Sequence, residues 1–155
     1  MKTRLIFYMA FISLFFINCK RDSDNGYGVS RSNHINIAYI NSSGENLLNP
    51  STLNHYTADS IRIYYIVDGV KTEANFPKAD YPNGFHIYQS DSTTYRIGVL
   101  LNSNNVLIKL NHETTDTIKC IIDHSYGNLE LRKLWYNGVL MFDNDRPTLD
   151  ITVVK

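Results

Sequence analysis

Hydrophobic residues in this chain fall mostly on alternate positions, the spacing of strands that bury one face. Ile61, Ile63, Tyr65 and Val67 alternate with Arg62, Tyr64 and Ile66, and Asp68-Gly69 then supplies the positive φ angles of a two-residue type I′ turn. In that register Val67 faces Val70, Tyr65 faces Thr72 and Ile63 faces Ala74 on the core side, while Tyr64 meets Glu73 on the wet side. Tyr95, Ile97, Val99 and Leu101 alternate in the same way, and the polar stretch Asn102-Ser103-Asn104-Asn105 leads into Val106, Ile108 and Leu110. This predicts a second hairpin pairing Leu101 with Val106, Val99 with Ile108 and Ile97 with Leu110. Asn137-Gly138 predicts a third, with Trp135 opposite Leu140 and Leu134 opposite Met141. Both parities of that hairpin carry large apolar residues, so its inward side stays open.

Shorter strands fit at Ile35 to Ile40, Phe85 to Gln89, Thr117 to Ile122 and Leu149 to Val154. No ten-residue stretch after the first thirty holds a 3.6-residue apolar period, and β-branched and aromatic residues dominate the ordered segments. The fold class is therefore all-β. Nine or ten strands at these spacings predict an antiparallel β-sandwich over residues 34–155, of immunoglobulin-like topology, with a closed β-barrel as the alternative. Two longer connections, Asn41 to Ala58 and Pro77 to Gly84, are places where a site can be built. Leu47 and Leu48, apolar inside the first of them, are expected to plug one end of the sandwich.

The first nineteen residues have a different pattern. Lys2 and Arg4 precede an apolar run from Leu5 to Ile17 broken only by Ser13, the basic and hydrophobic parts of a secretory signal. As a helix that run spans about 20 Å, short of the roughly 30 Å hydrocarbon core of a bilayer. It ends in Phe16-Ile17-Asn18-Cys19, which resembles the lipobox of bacterial lipoproteins. The resemblance implies cleavage after residue 18 and a lipid on the Cys19 thiol, with export and anchoring to the envelope, and Lys20-Arg21-Asp22-Ser23-Asp24 resembles the sorting stretch by which some lipoproteins are carried to the outer membrane or cell surface. Residues 19–33 are polar and small, the composition of a flexible tether.

Removing the first 18 of 155 residues leaves 137, a usual size for one domain with a real core. Lys2 and Arg4 leave with them, so 15 basic residues become 13 against 15 acidic ones, a net charge of −2. With no basic patch, nucleic acid is not an expected partner. Of the two cysteines only Cys120 remains once Cys19 is acylated, which leaves no intramolecular disulfide. Cys120 shares its strand face with Ile118 and Ile122 and reads as a small buried hydrophobe.

Sequence motifs for chemistry are sparse. His34, His55, His86, His112 and His124 show no pair at strand or helix ligand spacing, so no metal and no cofactor are expected. His112-Glu113 has Asp rather than His at position 116, where a zinc-protease helix needs its second ligand. No nucleophile elbow or phosphate-binding glycine loop occurs, and an enzyme is not the expected class. Eleven tyrosines are the one compositional excess. Tyr64 and Tyr88 fall on outward parities with His86 beside Tyr88, and exposed tyrosine offers amphipathic contact area to sugars or proteins. Asp59-Ser60-Ile61, Asp91-Ser92-Thr93 and Asp116-Thr117-Ile118 resemble the triplets that some bacteria O-glycosylate on exported proteins, which implies Ser60, Ser92 and Thr117 as acceptors. The expectation is a non-catalytic, lipid-anchored envelope protein whose domain binds an unknown envelope protein or glycan, the alternative being a surface carbohydrate-binding accessory lipoprotein.

Overall fold

The computed structural model describes residues 31–124, 129–143 and 150–155. The expected signal segment, Cys19 and all but the last three residues of the expected tether lie outside the described residues. In chain order the strands are β1 (Arg31–Ser32), β2 (His34–Ile40), β3 (Arg62–Val67), β4 (Val70–Glu73), β5 (Phe85–Gln89), β6 (Tyr95–Leu100), β7 (Asn105–Lys109), β8 (Thr115–Asp123), β9 (Leu129–Tyr136), β10 (Val139–Asp143) and β11 (Asp150–Val154). No helix occurs among the described residues.

Two sheets form a β-sandwich. The smaller has the order β11-β2-β6-β5, and the larger β1-β9-β8-β7-β3-β4 with β10 also on β9. Placing β2-β6-β5 in one sheet and β4-β3-β7-β8 in the other is immunoglobulin-like connectivity. Neither sheet closes into a barrel. Most pairings are antiparallel; β11 on β2 and β1 on β9 are parallel. The pairing of Arg31 and Ser32 with β9, and the burial of Asn33, carry the folded region into the segment read as tether.

Inward positions of the two sheets supply the core. In the small sheet Ile87, Ile97, Ile37 and Ile151 lie side by side across four strands. In the large sheet Tyr65, Val106, Ile118 and Tyr136 form the corresponding row. Each such aliphatic side chain contributes about 1.5–3 kcal/mol by leaving water. Leu47 and Leu48 are buried with this core, as their place in a polar loop suggested. Tyr65 also joins the sheets, donating its hydroxyl to the Leu100 carbonyl at 3.0 Å.

The first hairpin has the predicted register, with Val67 opposite Val70 and Tyr64 opposite Glu73. Asp68 and Gly69 adopt φ of 50° and 78°, as the turn requires. Val67 and Val70 nevertheless stand in solvent, because the hairpin tip projects beyond the core.

The second predicted hairpin does not form. β6 pairs with β2 and β5, whereas β7 pairs with β3 and β8 in the other sheet. The polar stretch between them is a crossover. Leu101 N–H donates to the Asn33 carbonyl on the small-sheet side at 2.7 Å, and three residues later the Asn104 carbonyl accepts from Cys120 N–H at 2.8 Å in the large sheet. Ser103 Oγ fixes the crossing by donating to the Ile66 carbonyl at 2.7 Å.

The third hairpin forms with Trp135 opposite Leu140, but a bulge at Met141 puts Phe142, not Met141, opposite Leu134. A second bulge, where Ile121 pairs with Lys133 and Ile122 with Leu131, leaves Arg132 as the extra residue of β9. That bulge resolves the mixed parity of this strand: Leu131 and Leu134, three apart, are both buried.

Candidate functional site

Strand alternation turns Phe85 and Ile87 toward the core and leaves His86 and Tyr88 on the outward face of the small sheet. Three aromatic rings meet there. His86 and Tyr88 stack with centroids 4.9 Å apart and planes at 19°, and Tyr81, from the loop before β5, meets His86 edge-on at 4.5 Å. The neighbouring strand makes room for the stack with a glycine. His86 pairs with Gly98, where an added Cβ would lie 2.6 Å from His86 Cε1. The imidazole thus lies against bare backbone, a close approach that only glycine allows.

The same face carries polar groups on the adjoining strands. Tyr88 pairs with Arg96 on β6, and Gly98 pairs with Asn36 on β2. Asn36 Nδ2 donates to Asp150 Oδ1 on β11 at 2.7 Å. Beside Arg96 runs a groove of ≈ 540 Å³ over Ala38, walled by Asn49, Thr52, Thr94 and Thr152. Asn46 ties the groove's outer loop to β6, its Nδ2 donating to the Tyr95 carbonyl at 2.9 Å.

Two buried nitrogens on this face, His86 Nδ1 and Arg96 Nη1, have no hydrogen-bond partner among the described residues. Burial, and then the nearby His34, hold the His86 imidazole below its ordinary range, so the ring is neutral at neutral pH. The Tyr88 hydroxyl is pushed up by burial and then by Asp150, against the opposing influence of Arg96.

His86 and Tyr88 therefore come together, as their spacing suggested. Tyr64 does not join them. It lies on the outward face of the larger sheet, paired with Glu73 and Leu107, and Lys71 Nζ sits 4.0 Å over its ring. Sequence reading passed over Tyr81, Arg96, Asn36 and Gly98 as site residues. The outward parity of Arg96 and Gly98 on β6 was the available signal for two of them.

The three glycosylation-like triplets have different surroundings. Ser60 Oγ is engaged, its single proton lying between the Thr57 and Leu110 carbonyls, each 2.8 Å away. Thr117 is exposed, its hydroxyl donating to Asn137 Oδ1 at 3.3 Å. Ser92 stands in an exposed turn held by the Asp91 carboxylate, which accepts from Thr93 and Thr94 N–H groups at 2.9 and 2.8 Å. Those bonds lower the Asp91 pKa.

A second polar cluster lies inside the sandwich. Asp116 is 2% exposed on the inward side of β8. Tyr136 Oη donates to its Oδ2 at 2.5 Å, Asn137 Nδ2 donates to its Oδ1 at 2.8 Å, and Lys155 Nζ forms an ion pair with Oδ1. Tyr39 Oη in turn donates to Tyr136 Oη at 2.9 Å, and burial raises both tyrosines. These donors join β2, β8, β9 and the end of β11 around one carboxylate, an arrangement that braces the fold. Cys120 is buried nearby on β8; desolvation pushes its thiol up to about 12, far from a thiolate at neutral pH.

Among the described residues no three His, Cys, Asp or Glu side chains gather as metal ligands. No protein-family model, curated protein or solved structure matches the chain, so its function is argued from this geometry.

Proposed function

We propose that this chain is a non-catalytic bacterial envelope lipoprotein, held at the outer membrane by a lipid on Cys19, whose sandwich domain binds a ligand on the outward face of the small sheet. The observation that carries the binding reading is the Tyr81-His86-Tyr88 ring cluster lying against Gly98 beside an open polar groove. Stacked rings at the surface leave apolar area in water, and a groove with amide and hydroxyl walls adds hydrogen-bonding groups next to it. That combination suits a carbohydrate, whose ring faces present C–H groups and whose rim presents hydroxyls. It favours the carbohydrate-binding form of the proposal over a protein partner.

The anchoring rests on the basic start, the apolar run and Phe16-Ile17-Asn18-Cys19. Three acyl chains exceed the two signals that stable membrane attachment needs. In cells fed a labelled fatty acid, the wild-type chain is expected to carry label and the Cys19→Ser variant to lose both label and membrane retention. Equal retention of the serine variant overturns the anchoring. For the ligand face, Tyr88→Ala is expected to abolish retention on a polysaccharide panel in affinity electrophoresis, while Tyr64→Ala on the opposite sheet leaves it unchanged. The reverse pattern places the ligand on the other sheet.

A further inference from the structure

We infer that the groove beside Tyr88 takes a sugar bearing a carboxylate, a uronic acid within a longer glycan, with the Arg96 guanidinium as the partner of that carboxylate. The inference rests on the outward face of the small sheet being the binding surface.

Arg96 stands on β6, an interior strand, in register with Tyr88. A guanidinium carries five N–H donors and no acceptor, so taking it out of water without an acceptor is costly. Arg96 Nη1 is shut off from solvent with no acceptor among the described residues. Two carboxylates of this face, Glu45 in the groove's lining and Asp150 on β11, are bonded to neutral amides rather than to Arg96. Asp150 accepts from Asn36 at 2.7 Å, and Glu45 accepts from Asn41 at 2.7 Å. The ion pairs formed among the described residues do not include Arg96. The sheet thus holds a positive charge at the edge of an open groove, and no anion of the described residues forms an ion pair with it.

The charge on this face also selects the kind of anion. Among the described residues, Arg96 is the cation of the groove's lining and Glu45 its carboxylate, so a carboxylate monoanion meets less repulsion there than a phosphate dianion. A planar carboxylate also fits the guanidinium fork with two parallel hydrogen bonds. The rest of the groove suits the sugar that carries it. Thr52, Thr94 and Thr152 place short hydroxyl side chains along the walls, and the Tyr88 ring lies one strand away. The volume of ≈ 540 Å³ is within the range of pockets that take small ligands.

Calorimetric titration of the full-length chain in detergent with a galacturonate oligomer and with its methyl ester tests the assignment, because the ester removes the charge and adds only a methyl group at each carboxyl. The wild-type chain is expected to bind the acid at least about tenfold more tightly than the ester. Arg96→Gln is expected to lower acid binding to the ester's level. Arg96→Lys should fall between, since lysine keeps the charge and loses the fork. Circular dichroism reports whether each variant folds, and Arg96→Lys decides the matter if the glutamine variant does not. Ester binding equal to acid binding, or acid binding untouched by the folded variants, overturns the carboxylate assignment. In that event loss of binding in Tyr88→Ala still upholds the sheet face. Binding of both sugars that survives Tyr88→Ala sinks the sheet-face reading and the assignment with it. Failure of the wild-type chain to bind oligomers of galacturonate, glucuronate and guluronate overturns the assignment as well.

Discussion

At position 116 the alternation of β8 drives a carboxylate inward, on the side of Ile118 and Cys120, where three donors from two other parts of the chain meet it. A buried carboxylate of this kind is tolerated only because its lone pairs are occupied. Removing it leaves the Lys155 ammonium, whose side chain is 17% exposed, without its counter-charge. Asp116→Ala is therefore expected to destabilise the fold by about 3–5 kcal/mol, read as a shift in urea midpoint. A loss below about 1 kcal/mol means the cluster does not brace the sandwich. The inward parity of Asp116 is visible in the sequence once Cys120 is placed in the core. It was masked because Asp116-Thr117-Ile118 also reads as a turn running into a strand.

At the level of elements, what the sequence revealed tracks how local the determining chemistry is. Asp68-Gly69 and Asn137-Gly138 dictate positive φ angles that belong to two-residue turns and nothing else, and both hairpins form there. Asn102-Ser103-Asn104-Asn105 carries no such constraint. The same four polar residues serve a hairpin or a crossing between sheets, and the inward rows on either side are apolar in both cases. Immunoglobulin-like connectivity itself requires the crossing at this point, so the topological expectation was sound where the local pairing was not. The bulges at Arg132 and Met141 were illegible because an extra residue leaves no compositional mark. The aromatic site was half legible: parity joined His86 to Tyr88, the local pairing of β5 with β6 brings Arg96 and Gly98 beside them, and only the pairing with β2, distant in sequence, adds Asn36. Deleting Arg132 restores one-to-one pairing between β8 and β9 while keeping Leu131 opposite Ile122 and on the core side. The expected loss is below about 1 kcal/mol, that of the partly exposed Arg132 ion pairs with Asp123 and Glu130, measured by chemical denaturation. A loss above about 2 kcal/mol shows that the bulge itself is needed for β9 to pack.

For the molecule as a whole, stability at high pH is governed by groups that must stay protonated inside the fold. Burial pushes the Cys120 thiol and the Tyr65 hydroxyl up to about 12, from ordinary values of 9.0 and 10.0, and raises Tyr39 and Tyr136 further. Above pH 9.0 for the thiol and 10.0 for the phenols, the unfolded chain sheds these protons while the folded chain keeps them. The unfolded state then binds fewer protons, and stability falls as pH rises. Urea midpoints are expected to be insensitive to these groups up to about pH 9 and to fall increasingly steeply toward about pH 11. A level profile across that range indicates that the phenols ionise within the native protein.

The parallel docking of β11 on β2 has a bearing on how the molecule is made. Asn36 and Asp150 are 114 positions apart, and such distant pairing is slow and late in folding. While the chain is being synthesised, the flank of β2 stays uncovered until the last segment emerges. Asp150 and Thr152 arrive on that segment, so a polypeptide stalled or clipped before it would present rings without a finished groove beside them.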